Sequence, residues 1–339
     1  MFQIRESSPD DREQIFAVAE HLDTVNLPAD RDRIGALLDL SQKSFAASVA
    51  AADREYLFVL EDTAQRRVIG TSMIHAQHGT RRAPHIFFRV ESDERYSVTL
   101  DRYFVHKTLR IGYNYDGPTE IGGLILLPEY RGNPDQLGKL LSYTRFLFMA
   151  MHRQVFRDRV LSELLPPLEP DGTSALWKHL GHKFTGLTYQ EADILSKDNK
   201  EFIHALFPHE PIYTSLLPED VAAILGEVGP ETKGVEKMLR RIGFQYADQI
   251  DPFDGGPHFV ADTDRITVVR EARRGRVSPA DAAAEAPLGI VAVHGAAPGG
   301  FRAMRSRIGF GGEGVVALSA AARSALALGA GDEVWAVPA

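Results

Sequence analysis

Arg131, Gly132, Gly138 and Lys139 stand between an apolar run, Leu124 to Leu127, and a segment in which Leu137, Leu140, Leu141 and Phe146 recur at helical spacing. The run ends at Pro128, and a polar, glycine-containing turn from Glu129 to Gln136 follows. A strand therefore runs into a loop, and the loop into a helix. The first N–H groups of a helix lack intrahelical acceptors and form an anion site, and glycine lets a phosphate come close to the backbone. With an arginine and a lysine beside it, such a loop suits a phosphate. Other chemistry is excluded. The chain has no cysteine, so disulfides, thiol catalysis and cysteine metal sites are ruled out. The histidines show neither H-x-x-x-H nor H-E-x-x-H spacing, and no metal site is expected.

The elements that must hold this loop follow from periodicity. Phe2–Arg5 reads as a strand. Ser8 to Asp11 opens a helix carried by Ile15, Val18, Ala19 and Leu22, and a loop from Asp23 to Pro28 leads to a second helix around Ile34, Leu37, Leu38 and Phe45. Glu55–Glu61 and Arg67–His75 form a hairpin, with further strands at Phe87–Val90 and Tyr103–Arg110. Glu120–Leu127 is the strand before the loop, Gln136–His152 a long helix and Val160–Leu164 another strand. After a proline-rich turn, a short helix Ser174–Leu180 ends at Gly181, and Lys183–Tyr189 is the closing strand. Residues 175–184 are echoed by 236–244: in both, a helix with apolar residues three apart meets Gly and then Phe, which points to a second related unit. Arg273–Pro287 reads as a linker or mobile loop, and Leu288–Ala339 as short strands with an alanine-rich helix over Ser319–Leu328.

A length of 339 residues suggests two domains, with room for an appendage. Hydrophobic residues at 44% and charged residues at 25% are ordinary for a globular protein. The net charge of -8 disfavours nucleic acid as a partner. The N-terminus has no apolar signal core, and no run approaches the roughly 18 apolar residues of a membrane span. A cytoplasmic enzyme without a membrane partner is expected.

The strand–loop–helix unit resembles the pyrophosphate loop of the GNAT acyl-CoA-dependent N-acyltransferases, whose pattern is Arg/Gln-x-x-Gly-x-Gly/Ala; the loop is longer here. The order of elements is also the GNAT order. Through most of its length the chain resembles the arginine N-succinyltransferase family, which includes the arginine/ornithine succinyltransferase subunits. The resemblance is carried by Ser44–Ala46, Tyr56–Asp62, Gly70–Ser72, Glu120 with Leu124–Arg131, Arg145–Met149, Trp177 with Leu180-Gly181, Phe202-Ile203, Pro211–Tyr213 and Leu216–Pro218. Most distinctive is Asp251-Pro-Phe-Asp-Gly-Gly-Pro257.

This resemblance implies an α+β fold of two tandem GNAT-like halves with central mixed, mainly antiparallel sheets and a small β-rich C-terminal appendage. Residues 1–190 would be the acyl-CoA-binding half, 191–275 the second half, 276–287 a linker, and 288–339 a β-rich segment packing back on the body. It implies transfer of a succinyl or other acyl group from CoA to an amine of an amino acid such as arginine, with no metal. It also implies a homo-oligomer, or a hetero-oligomer with a paralogous chain. The alternatives are a non-catalytic or regulatory subunit of such a complex, and an acyltransferase with a different acceptor.

N-acyl transfer needs a neutral amine, whereas an α-amino group has a pKa near 8. A positioned carboxylate can take the proton, and an N–H donor can hold the oxyanion. Glu120 is the expected base, since some GNAT enzymes carry a glutamate on this strand, and Glu163 is expected where the acceptor enters. Backbone groups of Leu124, Ile125, Leu126 and Leu127 are expected beside the pantetheine arm, with Arg131, Gly132, Gly138 and Lys139 at the pyrophosphate. The family's Gly-x-Val-His, whose histidine is taken as proton donor, is Gly226-Glu-Val-Gly229 here. His204, His209 and Tyr213 are candidate replacements. Asp251 and Asp254 are candidates for a cationic substrate or for turn caps.

Overall fold

The computed structural model describes residues 1–21, 27–81, 83–196, 200–295 and 300–338, so Leu22 and the expected loop from Asp23 to Asn26 lie outside the described residues. The chain begins β1 (Phe2–Glu6), α1 (Arg12–Ala19), α2 (Arg31–Phe45), β2 (Glu55–Asp62), β3 (Arg67–His75), β4 (His85–Ser97), β5 (Arg102–Asn114), β6 (Thr119–Leu126), α3 (Leu137–Met151) and β7 (Arg159–Glu163). Then come α4 (His182–Thr185), α5 (Tyr189–Ser196), α6 (Glu201–Leu206), β8 (Ile212–Tyr213), α7 (Glu219–Ile224), α8 (Lys233–Arg241), β9 (Gln245–Ile250) and β10 (Pro257–Asp262). Last are α9 (Thr267–Glu271), β11 (Arg273–Val277), β12 (Leu288–His294), β13 (Phe301–Phe310), β14 (Val315–Leu318), α10 (Ala320–Ala325) and β15 (Glu333–Pro338). Among the described residues no helix is long and apolar enough to cross a membrane.

Two compact units emerge, each assembled from segments distant in sequence. The first holds 1–76, 119–158 and 262–339, and the second 77–118 and 159–261. This division crosses the contiguous boundaries at 190, 275 and 287 expected from the sequence.

In the first unit the strand order is β12-β15-β11-β14-β13-β1-β2-β3-β6. Tyr56–Leu60 and Val68–Ile74 are buried on both faces, so these strands read as unbroken apolar runs rather than alternating ones. The core centres on Phe45 of α2, Phe58 of β2 and Phe148 of α3, with Phe58 and Phe148 edge-to-face at 5.2 Å. β12 pairs with β13 as well as with β15, so the expected appendage is a closed five-stranded barrel. Val277, Val291, Met304, Ile308, Val316, Leu318 and Val334 fill it. The expected mobile linker is tied to that barrel: the N–H of Ser278 donates to Val316 (2.8 Å) and that of Ala282 to Leu318 (3.0 Å). β13 also pairs with β1, with Ile4 opposite Ala303.

In the second unit the order is β7-β10-β9-β4-β5-β8. The expected short strands at 87–90 and 103–110 are the inner parts of a hairpin in register from His85↔Asn114 to Ser97↔Arg102. Its core holds Ile86, Phe88, Leu109, Trp177, Phe207, Ile250 and Phe253. Trp177 stacks on Phe253 with ring centroids 4.9 Å apart, and its Nε1–H donates to the carbonyl of Leu187 (3.0 Å).

That tryptophan explains two corrections. The expected closing strand Lys183–Tyr189 does not form; the chain stays helical through α4 and turns back so that Leu187 can meet the indole. Gly181 does not end the helix. It lies inside it because the indole occupies the space of a side chain, a Cβ there falling 2.4 Å from Trp177. Gly186, at φ +71°, is the left-handed cap. The echo at 236–244 does follow the expected path, since Gly243 has φ +111° and Phe244 leads into β9.

Replacing Trp177 by Ala should destabilise the fold by about 3–5 kcal/mol. Gly181→Ala should also destabilise the parent chain, yet should be neutral or stabilising in the Trp177→Ala background, because alanine outranks glycine in a helix once the indole is gone. Urea unfolding of the four proteins measures this cycle; additive effects would show that the two residues do not share the space.

Candidate active site

The strand before the loop carries an irregularity. β3 and β6 pair in register Gly70↔Leu126 and Thr71↔Ile125, but then Met73 faces Gly122. β6 therefore holds one extra residue, a bulge, at which Gly123 takes φ +54°. A Cβ on Gly123 would lie 2.8 Å from the Met73 side chain. The Thr71 hydroxyl donates to the Gly123 carbonyl (2.9 Å). Arg145, buried on α3, donates to the Gly122 carbonyl (3.3 Å), the Ser142 carbonyl (3.1 Å) and the Ser142 hydroxyl (2.9 Å). Burial lowers the Arg145 pKa to about 9. The Ser72 hydroxyl donates to the Leu141 carbonyl (3.2 Å), so strand, bulge and helix are locked together.

Past the bulge, the N–H of Leu127 donates to the Ile69 carbonyl (2.9 Å). Backbone groups alternate sides along an antiparallel strand. Ile125 and Leu127 therefore turn theirs to β3, and Leu124 and Leu126 turn theirs away. Of the four residues expected beside a pantetheine arm, Leu124 and Leu126 turn their backbone groups away from β3. Arg131 is exposed and its Nε–H donates to the Leu126 carbonyl (3.2 Å), which draws the guanidinium over the strand end.

Gly132 has φ +72°, and Gln136, immediately before α3, has φ +51° with no side-chain cap. A left-handed residue that is not glycine is uncommon. The Gln136 carbonyl accepts from the N–H groups of Lys139 (2.9 Å) and Leu140 (3.0 Å). The N–H groups of Leu137 and Gly138 find no acceptor among the described residues. A Cβ on Gly132 or Gly138 would meet nothing within 4 Å, so the space before this helix start is open. Lys139 is half-buried, its Nζ 5.4 Å from the Tyr143 ring centroid. Glu120 is buried near the start of β6, across from His75 of β3.

The second unit gathers a different set. Glu163 ends β7. Its Oε1 lies 3.3 Å from Nε2 of His85 and 3.4 Å from Nε2 of His258. His85 and His258 are buried, their rings stacked at 5.4 Å, and His78 lies against His85 at 4.6 Å. Asp251 is 3.7 Å from the Lys200 ammonium. Asp251 and Asp254 also cap the turn they sit in, accepting from the N–H of Phe253 (2.6 Å) and Gly256 (2.7 Å).

Burial sets the charges. Burial, reinforced by His78 and opposed by Glu163, pushes His85 down to about 3. Burial likewise lowers His258. Burial works to raise the Glu163 carboxyl, but His258, His85 and Lys200 hold it well below its ordinary value. Burial raises Asp251, and burial with the neighbouring Asp251 charge raises Asp254 well above the usual carboxylate range.

The remaining candidates stand elsewhere. His204 packs edge-on against His209 (5.1 Å) and Tyr113 (4.5 Å), and the Tyr213 hydroxyl donates to Asp93 on the β4–β5 hairpin. Gly229 cannot hold a side chain as it stands. Its N–H donates to the Leu165 carbonyl (2.8 Å), and a Cβ would fall 2.5 Å from the Pro166 carbonyl. Sequence reasoning missed the bulge, Arg145 as its brace, and His78, His85, His258 and Lys200. Paired glycines inside an apolar strand signal a bulge. The histidines, far apart in the chain, give no local signal.

Residues 2–268 match the family described as arginine N-succinyltransferase beta subunit, and residues 273–338 match its C-terminal domain. The arginine N-succinyltransferase of Yersinia enterocolitica is 35% identical over 253 residues, covering 74% of this chain and 72% of that one. The enzyme of the same name from Salmonella paratyphi B is 34% identical over 262 residues, covering 76% and 75%. The structure of arginine/ornithine succinyltransferase subunit AI from Pseudomonas aeruginosa superposes with a TM-score of 0.82 at 29% identity, covering 100% of this chain and 98% of that one.

The neutral, buried His85 makes stability depend on pH. Its folded pKa of about 3 lies below the ordinary 6.5, so between those values the unfolded chain binds a proton that the folded chain does not. Stability should be fully present above pH 6.5 and fall as pH falls toward 3, by up to about 1.4 kcal/mol per unit from this group. Urea midpoints at pH 7, 6 and 5 should show this slope, and His85→Asn should flatten it; an unchanged slope in the variant would show that His85 titrates normally.

Proposed function

This chain belongs to the arginine N-succinyltransferase family, and from that premise we infer that it is an acyl-CoA-dependent N-acyltransferase acting on an amine of an amino acid such as arginine. The mixed α+β fold agrees with that of the succinyltransferase subunit it superposes on. The observation that carries the reading is the start of α3: two N–H groups without acceptors, an open approach at Gly132 and Gly138, and a bulged strand leading in. A helix N-terminus of this kind favours a diphosphate. The backbone groups that Leu124 and Leu126 turn away from β3 suit the amides of a pantetheine arm, as in strand addition. Arg131 and Lys139 supply positive charge to the diphosphate.

In this reading the acyl group is succinyl. Glu120 takes the proton from the attacking amine, the new C–N bond forms as the thioester C–S bond breaks, and the CoA thiolate leaves and is protonated. An N–H turned outward from the strand carries the transient oxyanion. Glu163, with Asp251 near it in the second unit, offers a carboxylate that suits a cationic group. The protein works in the cytoplasm, paired with a second copy or a paralogous chain.

Gly229 favours a second reading, in which chemistry is kept and the acceptor differs. No side chain fits at that position without moving Pro166, so any proton donor must come from elsewhere. A panel of amines with free-thiol detection separates the two acceptors; turnover with arginine above all others removes the second reading.

CoA and succinyl-CoA should each raise the melting temperature, and no shift from either at millimolar ligand would refute the site. Gly138→Ala should stabilise the unliganded protein by up to about 1 kcal/mol, because alanine outranks glycine in a helix. It should also weaken CoA about tenfold, or about 1.4 kcal/mol, by filling the phosphate approach. Glu120→Gln should lower kcat by about 10²–10⁴-fold while leaving the CoA-induced shift intact. An active Glu120→Gln enzyme would exclude Glu120 as the base.

A further inference from the structure

We propose that His78, His85 and Glu163 form a binding site for one divalent transition-metal ion. The inference does not depend on the acyl-transfer reading, and it gives Glu163 a different occupant, an ion in place of a cationic group of the acceptor. One ligand atom from each of the three residues lies within 4.8 Å of those from the other two. The His85 Nε2 to Glu163 Oε1 separation is 3.3 Å. Around a tetrahedral ion with bonds of about 2.0–2.2 Å, neighbouring ligand atoms stand about 3.3–3.5 Å apart. That edge is already in place.

Two of the three residues, His85 and Glu163, also carry buried ligand atoms without a hydrogen-bond partner among the described residues. His85 is 2% exposed, and neither of its ring nitrogens makes a hydrogen bond among the described residues. Glu163 Oε1 makes none either, despite its two imidazole neighbours. Buried polar atoms of this kind are rare, because desolvation is costly when nothing replaces water. An ion would engage the lone pairs of both.

The backbone holds the histidines where they are. The N–H of His78 donates to the Pro118 carbonyl (2.7 Å), and Gly79 takes φ +88° against the backbone of Asn114 and His85, where a Cβ would fall within 2.7–2.9 Å. His85 opens β4 and Glu163 closes β7, so two of the three ligands sit at strand ends. A second trio, Glu163, Asp251 and His258, shares the carboxylate. There the Lys200 ammonium already faces Asp251, and a cation would meet its repulsion. The ion is therefore assigned to the His78 side, with His258 as a neighbour of Glu163 rather than a ligand. Two imidazoles and one carboxylate suit zinc, cobalt, iron or manganese. They do not suit calcium or magnesium, which prefer oxygen ligands, or copper(I), which prefers sulfur.

The test uses the full chain without a polyhistidine tag, treated with chelator and titrated with Co²⁺ and then Zn²⁺. The expected result is one equivalent of Co²⁺ with intense visible absorption from a low-coordinate site, displaced by Zn²⁺. Affinity should fall at least tenfold in His85→Ala, in His78→Asn and in Glu163→Gln, and should be retained in His258→Asn. If His85→Ala fails to fold by circular dichroism, His78→Asn at its half-buried position decides the matter. Co²⁺ binding that is absent, or equal in the parent and His78→Asn, overturns the proposal. So does loss of the ion in His258→Asn with retention in His78→Asn.

Discussion

Two consecutive carbonyls, those of Gly122 and Gly123, are held by side chains from different elements, and the cofactor-side geometry depends on that grip. Thr71 reaches across from β3, and Arg145 reaches down from α3. The bulge they fix changes which backbone groups of β6 face outward beyond residue 123, because one extra residue reverses the alternation. The same Arg145 ties the bulge to the helix whose first turn faces the open loop. Strand and helix start are thus one rigid piece, and the polar turn between them follows from that rigidity. An arginine buried with only carbonyl and hydroxyl acceptors is an expensive brace, and placing it here is consistent with a need for fixed geometry.

The second unit stores a different tension. Three carboxylates, one ammonium and the imidazoles of His85 and His258, whose pKa values burial lowers, share a buried region, with Glu163 driven toward ionisation and Asp254 toward protonation. Carboxylates pushed in opposite directions within one cluster are a feature shared by functional sites and by structural ion-pair networks. The Asp251–Pro257 turn contributes to this twice. It caps its own backbone through Asp251 and Asp254, and it delivers His258 at the next residue. At Asp251 the two places are compatible, since Oδ1 caps the turn while Oδ2 faces the Lys200 ammonium.

What could be read from the sequence was local. β3 and the span of α3 are close to those expected, because each is a long apolar pattern bounded by polar turns. The loop glycines were visible for the same reason. Failure came where tertiary contact overrode pattern. Lys183–Tyr189 looked like a strand, but the indole of Trp177 needed the Leu187 carbonyl and bent the chain instead. Gly181 looked like a helix end, yet it exists to admit that same ring. His78, His85, Glu163 and His258 are brought together by strand pairing across long separations, and no spacing rule finds them. The barrel went unseen because closure depends on β12 meeting both β13 and β15, a matter of topology that short strands do not announce.

The seam between β1 and β13 has a consequence for how this protein is made. Ile4 is made long before its partner Ala303. Until β13 follows, the outer edge of β1 waits as an open row of hydrogen-bonding groups, and contacts of such sequence separation close slowly. The sheet of the first unit therefore cannot reach its finished form before β13 has been made, and in that interval the unpaired edge is open to other chains.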